Sequence, residues 1–310
     1  MDKDKQQMDY LGKIMSENEK SSKNDVNDVV IGNNENPLDY IQIEIGSLPL
    51  TYFYKEGTKI SIRAAKVTEI QAYSVVNDEN YLDVTEKMNQ LLSTCVRVIL
   101  PGNVKGSYKD VKDGDRLFLI FLIRELTFQK GHSYSKSVKC ECGHKFDIPF
   151  RASSNSDFPK TFEFYEMPES LEDYYNKREK LFKLDFDKAI YKLAPPTIGL
   201  QEQFFTQMKE KVAAEEELNV SFNKVMPFLL PHLSHVSEKA LVTREDEYSS
   251  LDIELWGDID GMVNEMKFGL KGLKMNCPEC GTEVRTDVKF PTGAKGIFAV
   301  SGRFEKHNKQ

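Results

Sequence analysis

Apolar residues are sparse at the start of the chain and patterned after it. The stretch "SENEKSSKNDVNDVVIGNNENP" holds almost nothing that could join a core, so residues 1–47 read as a flexible or extended polar arm. Within it Met8, Leu11, Ile14 and Met15 fall near i, i+3, i+6 and i+7, which would put one apolar stripe on a short helix. Such a stripe suits a segment that orders on a neighbouring subunit; a solvated tail with chance spacing is the simpler reading.

From Leu48 the pattern is that of a folded chain. "LPLTYFYKEGTKISIRAA" sets β-branched and aromatic residues on both sides of Glu56-Gly57, predicting two short strands joined by a turn. Thr68 opens a helical "TEIQAYSV", and "VTEKMNQLLSTCVRVI" (84–99) keeps helical periodicity with Asp83 or Thr85 as its cap. "RLFLIFLIREL", after Asp113-Gly-Asp115, is apolar nearly all round and predicts a buried helix, although a buried strand shares the pattern. "RASSNSDFPK" (151–160) is a loop by composition. An alternating stretch then leads through Pro195-Pro196 to Thr197 and a long helical pattern that Pro227 and Pro231 must interrupt or end. One more amphipathic helix, in "SLDIELWGDIDGMVNEMKF", precedes the last cysteines.

The order of elements recurs. "ISIRAAKVTEIQAYS" and "AIYKLAPPTIGLQEQFF" share a strand, a short break, a Thr cap and a helix with Glu or Gln in its first turns. Each then runs through helices to a cysteine turn and a strand-like tail, "KFDIPF" or "EVRTDVKF". An internal duplication accounts for this, and so does coincidence of common elements. The expected fold is α+β: a mainly helical body with short strands, a polar arm (1–47), and two tandem related halves (48–150 and 151–310) joined through their cysteines.

Composition narrows the chemistry. A chain of 310 residues, 40% hydrophobic, can bury a real core without a metal to hold it. The longest apolar run, "LFLIFLI", is far too short for a membrane span, and the first residues show no basic region followed by an apolar one. The expectation is a cytoplasmic, reducing compartment, where paired cysteines read as metal ligands before disulfides. A net charge of −7 offers no electrostatic footprint for a polyanion, which disfavours nucleic acid.

Four of the five cysteines stand in two look-alike turns, "CECGH" and "CPECGT". Cys277-Pro-Glu-Cys280-Gly281 is a complete knuckle: the two sulfurs converge, and Gly accepts a backbone conformation that other residues resist. Cys140-Glu-Cys142-Gly143 is one residue shorter and must present its sulfurs from a tighter turn. Together they predict one structural Zn2+ held by Cys140, Cys142, Cys277 and Cys280, a split zinc ribbon. Replacement of one first-knuckle thiolate by His144, and redox-active thiols without metal, are the alternatives. A tetrathiolate has no open position, so the site is structural rather than catalytic.

Other candidates read more plainly. Cys95 lies in apolar periodicity and is expected in the core. His232 and His235 lack an evident third ligand and read as packing or surface histidines. The pairs Asp113/Asp115 and Asp258/Asp260 read as caps. "PTGAKGIF" lacks the phosphate-loop pattern and reads as a turn or hairpin, and the basic end "RFEKHNKQ" is too short to predict nucleic-acid binding. No nucleophile, base and orienting group assemble, so no enzyme is expected.

The ordered set "LPLTYFYKEGTKISIRAAKVTEIQAYS", "EKMNQLLSTC", "DGDRLFLIFLIRELTF", "SVKCECGHKFDI" and "CPECG" resembles the hub-associated baseplate proteins of T4-like contractile-tailed bacteriophages, best over 48–150. The long arm, the greater length and the shortened first knuckle depart from that pattern. The resemblance implies a noncatalytic structural or assembly role in the tail baseplate, with other baseplate, hub or tail-tube proteins as partners. It also implies residence in the virion, after a period in the host cytoplasm during assembly. The alternative expectation is a nucleic-acid-binding or transcription-associated zinc-ribbon protein.

Overall fold

The computed structural model describes residues 39–128, 135–152, 160–187, 189–215, 220–288 and 293–298. The stripe at Met8 to Met15, most of the loop expected over 151–160 and the basic end lie outside the described residues.

The first sheet has the order β1 (Ile41–Ile43), β2 (Lys59–Ile62), β3 (Val96–Leu100), β4 (Val104–Lys105), all antiparallel. Its edge strand begins inside the stretch read as arm: Ile41 and Ile43 pair with Ile62 and Ile60. Between β2 and β3 sit α1 (Val67–Ser74) and α2 (Tyr81–Cys95). Asn80, rather than Asp83 or Thr85, caps α2 by accepting from the Leu82 and Asp83 amides. Glu69 closes the start of α1 on the Lys66 amide at 2.7 Å, so Lys66 and not Thr68 occupies the cap position.

Two sequence expectations fail here for physical reasons. Thr51–Phe53 is a 3-10 turn and not a strand, because the preceding Leu50 amide is drawn to the carboxylate of Asp115 at 2.9 Å. The helical reading of 84–99 ends at Cys95, since the β-branched run Val96, Val98, Ile99 pairs with β2.

α3 (Arg116–Thr127) is the buried helix its pattern predicts, with Leu119, Ile120 and Ile123 wholly inaccessible. Its Arg124 Nε donates to the Ile297 carbonyl at 2.5 Å. That carbonyl belongs to a 3-10 helix, Ala294–Phe298, whose Phe298 meets Tyr73 of α1 edge-on at 5.2 Å. The segment expected as a turn or hairpin therefore caps the core.

After α3 come the hairpin β5 (Ser135–Lys139) and β6 (Lys145–Pro149), then β7 (Phe162–Phe164), α4 (Glu169–Glu172) and a meander of β8 (Tyr175–Asn176), β9 (Leu181–Phe186) and β10 (Ala189–Leu193). Thr197 caps α5 (Ile198–Ala213), as expected, by accepting from the Leu200 amide. α6 (Val220–Val225) passes into a 3-10 turn at Met226–Leu229, where Pro227 ends regular helix. α7 (Glu238–Ser249) and α8 (Ile253–Glu265) lead to β11 (Leu270–Asn276), which lies between β7 and β12 (Glu283–Thr286).

One apolar cluster includes residues from both stretches of the chain. Phe118 and Phe121 of α3 meet Phe162 of β7, and Phe53 meets Phe182 and Phe268. The backbone joins them too: Asp113 donates to the Pro196 carbonyl at 2.9 Å, and Ile198 to that of Val111 at 2.8 Å. The architecture is mixed helix and sheet, in agreement with the α+β expectation.

Candidate metal centre

Each cysteine turn is the tip of an antiparallel hairpin. In β5–β6 the Cys140 amide donates to the His144 carbonyl at 2.9 Å, and the Gly143 amide to the Cys140 carbonyl at 2.9 Å. In β11–β12 the Cys277 amide donates to the Thr282 carbonyl at 2.8 Å, and the Gly281 amide to the Cys277 carbonyl at 2.9 Å. The two turns close with the same pair of bonds, the first over one residue fewer. Both need left-handed backbone at the glycine, φ +92° at Gly143 and +74° at Gly281, which explains Gly after the second cysteine in each.

The tips face one another. All four sulfurs lie within 4.8 Å of one another, with Cys140 Sγ 3.5 Å from Cys280 Sγ and Cys142 Sγ 3.8 Å from Cys277 Sγ. A disulfide needs about 2.05 Å. Four sulfurs bound tetrahedrally at about 2.3 Å would stand about 3.8 Å apart, which these separations match. Cys140, Cys142, Cys277 and Cys280 could therefore hold a metal ion, with Cys140 and Cys277 on the buried side and Cys142 and Cys280 toward solvent.

Neighbouring dipoles support thiolate there. The Thr282 hydroxyl lies 3.3 Å from Cys280 Sγ and, with the Thr282 amide, holds Cys280 down to about 6. At Cys142 the His144 amide also favours the thiolate, but hydrogen bonding shared with Cys280, Cys140 and Cys277 outweighs it and pushes that thiol up to about 12. Adjacent thiolates repel, so a bare cluster favours one ionised sulfur whereas a bound cation favours ionisation of all four.

His144 is outside the sulfur cluster. Its Nδ1 is 2.9 Å from Glu279 Oε2, so it ties the first tip to the second instead of replacing a thiolate. Lys136 adds a third tie, donating to the Asp287 carbonyl at 2.9 Å. The tail strands β6 and β12 belong to different sheets, and it is the tips that meet. Thr282 and the His144–Glu279 pair escape the sequence pattern, since a Thr after the glycine is the only local sign of either.

The remaining candidates fall elsewhere. Cys95 is fully buried, and burial pushes its thiol up to about 12, as suits a core residue. His232 Nε2 contacts the Glu179 carbonyl at 2.9 Å, and among the described residues no metal-like grouping includes His232 or His235. Asp115 stands at the N-cap position of α3, but its side chain makes no capping bond. Asp115 is buried and accepts from the Leu50 amide at 2.9 Å and the Tyr54 hydroxyl at 2.6 Å, while Asp113 pairs with Arg116 at 2.5 Å. Asp258 and Asp260 lie inside α8, whose cap is Asp252; Asp260 meets Lys224 at 3.4 Å. No helix among the described residues is long and apolar enough to cross a membrane. No family model, curated protein or solved structure matches the chain.

Proposed function

We propose that the chain is a noncatalytic structural or assembly component of a contractile phage tail baseplate, hub or hub-associated, stapled by one structural zinc on Cys140, Cys142, Cys277 and Cys280. The observation that supports a structural role is closure: four sulfurs converge on one point and would fill a tetrahedral ion's coordination, leaving no position for water or substrate. An all-thiolate set suits zinc and disfavours magnesium or calcium, which take oxygen ligands. The baseplate assignment rests on the resemblance in motif order.

In this reading two related halves each donate a knuckle to a split zinc ribbon, and the arm docks on a neighbouring subunit. The partners are other baseplate, hub or tail-tube proteins, met in the host cytoplasm and kept in the virion. Mass spectrometry of native tails and tail-assembly intermediates tests it: the chain is expected among the tail proteins. A monomeric, metal-free chain absent from both would overturn it.

Paired knuckles also support a nucleic-acid-binding zinc-ribbon protein, which the net charge of −7 opposes. A salt-sensitive gel shift at physiological ionic strength would favour that second reading.

A further inference from the structure

Apart from the cysteine cluster, a cleft of about 280 Å³ opens beside the β3–β4 tip. Leu100, Pro101 and Val104 give it an apolar wall. Lys55, Lys112 and His232 give it a basic one. We propose that this cleft binds a small organic carboxylate, its charged end against Lys55 and Lys112 and its apolar body against the β3–β4 tip.

Lys112 is only 2% exposed, yet its ammonium, with three protons to donate, makes one hydrogen bond among the described residues, to the Pro195 carbonyl at 2.9 Å. Asp115 favours the Lys112 charge electrostatically, but its oxygens accept from the Leu50 amide and the Tyr54 hydroxyl. Tyr54 in turn accepts from the Lys112 amide at 3.0 Å, which fixes the Lys112 backbone. Lys55 stands exposed at the rim. Asp110, the acid lining the cleft, accepts from the Ser107 amide at 2.8 Å and is turned toward its own loop.

Two amines and an imidazole therefore share one small space. Burial, against the nearby Asp115 and with Lys55 opposing a second charge, pushes Lys112 down to about 7; burial and Lys112 push His232 down to about 4, so its imidazole is neutral near pH 7. A bound anion would favour the charged form of Lys112. The chemistry favours a carboxylate over a phosphate: the lining includes no arginine fork, and a half-apolar cleft suits a singly charged group with a hydrocarbon body.

Titration calorimetry of the full chain with hexanoate, hexanol and inorganic phosphate tests this. Hexanoate is expected to bind saturably, with hexanol and phosphate at least about tenfold weaker. Lys55→Ala, at an exposed position that should not disturb folding, is expected to weaken hexanoate by about fivefold or more. Lys112→Met should abolish binding if that variant folds, and the Lys55 result stands without it. Absence of saturable hexanoate binding would overturn the proposal. So would hexanol or phosphate binding as tightly, or Lys55→Ala leaving the affinity unchanged.

Discussion

Cys140 and Cys280 stand 140 positions apart in the chain, and their sulfurs approach to 3.5 Å. Neither hairpin alone could close a four-sulfur site; each presents two sulfurs, and the core places the tips together. A cross-link over such a span restrains the unfolded chain by about 5 kcal/mol on the chain-entropy model, before any bond energy is counted.

If the four sulfurs hold a metal, its removal should weaken the hairpins first and the whole chain second. Chelation is expected to lower the thermal midpoint by about 5–10 °C in calorimetry. Hydrogen exchange should show lost protection in β5–β6 and β11–β12 while α3, buried independently of the metal, keeps its own. Identical melting with and without chelator would show that the tips need no ion.

The Asp115 carboxylate is the acceptor for a buried amide and a buried hydroxyl. Asp115→Ala leaves both donors unpaired and removes the acid nearest the buried Lys112, and is expected to cost about 3–5 kcal/mol in denaturant titration. Asp115→Asn keeps one acceptor oxygen and should cost less than half of that.

Gly269 has φ +98°, and a Cβ there would stand 2.7 Å from the Gly114 carbonyl oxygen. Gly114 lies in the turn that enters α3, and Gly269 in the turn that enters β11. Gly269→Ala meets both backbone strain and a clash with backbone, and should destabilise by about 2 kcal/mol or more, measured by chemical unfolding.

His232 is held down to about 4 by burial, with Lys112 close by, against about 6.5 when unfolded. The unfolded chain takes up its proton first as pH falls, so the stabilising contribution is complete above pH 6.5 and is lost toward pH 4. Urea titrations across that window should show wild type losing stability faster than His232→Asn, whose Asn tolerates the same φ of +64°. Parallel pH profiles would contradict this.

Features set by neighbours in sequence were legible in advance. Gly after the second cysteine marks both turns because only the local backbone is involved, and the all-round apolar run of α3 announces its burial. Thr197 caps α5 with a bond three residues away. What stayed hidden depends on distant groups. Thr51–Phe53 becomes a 3-10 turn when the Leu50 amide reaches Asp115, 65 residues on. Val96–Leu100 leaves the helical pattern because β2 offers it a partner. The Asp115 side chain leaves its cap position unserved because the core brings it the Leu50 amide and the Tyr54 hydroxyl. The His144–Glu279 pair exists only once the two tips have met.

The most direct test is the metal content and ligand set of the purified full-length chain. Elemental analysis should give one zinc per chain, X-ray absorption should give four sulfurs at about 2.3 Å, and Cys280→Ser should disrupt both. A metal-free protein with four freely titrating thiols, or a zinc bound through nitrogen or oxygen, would contradict the account.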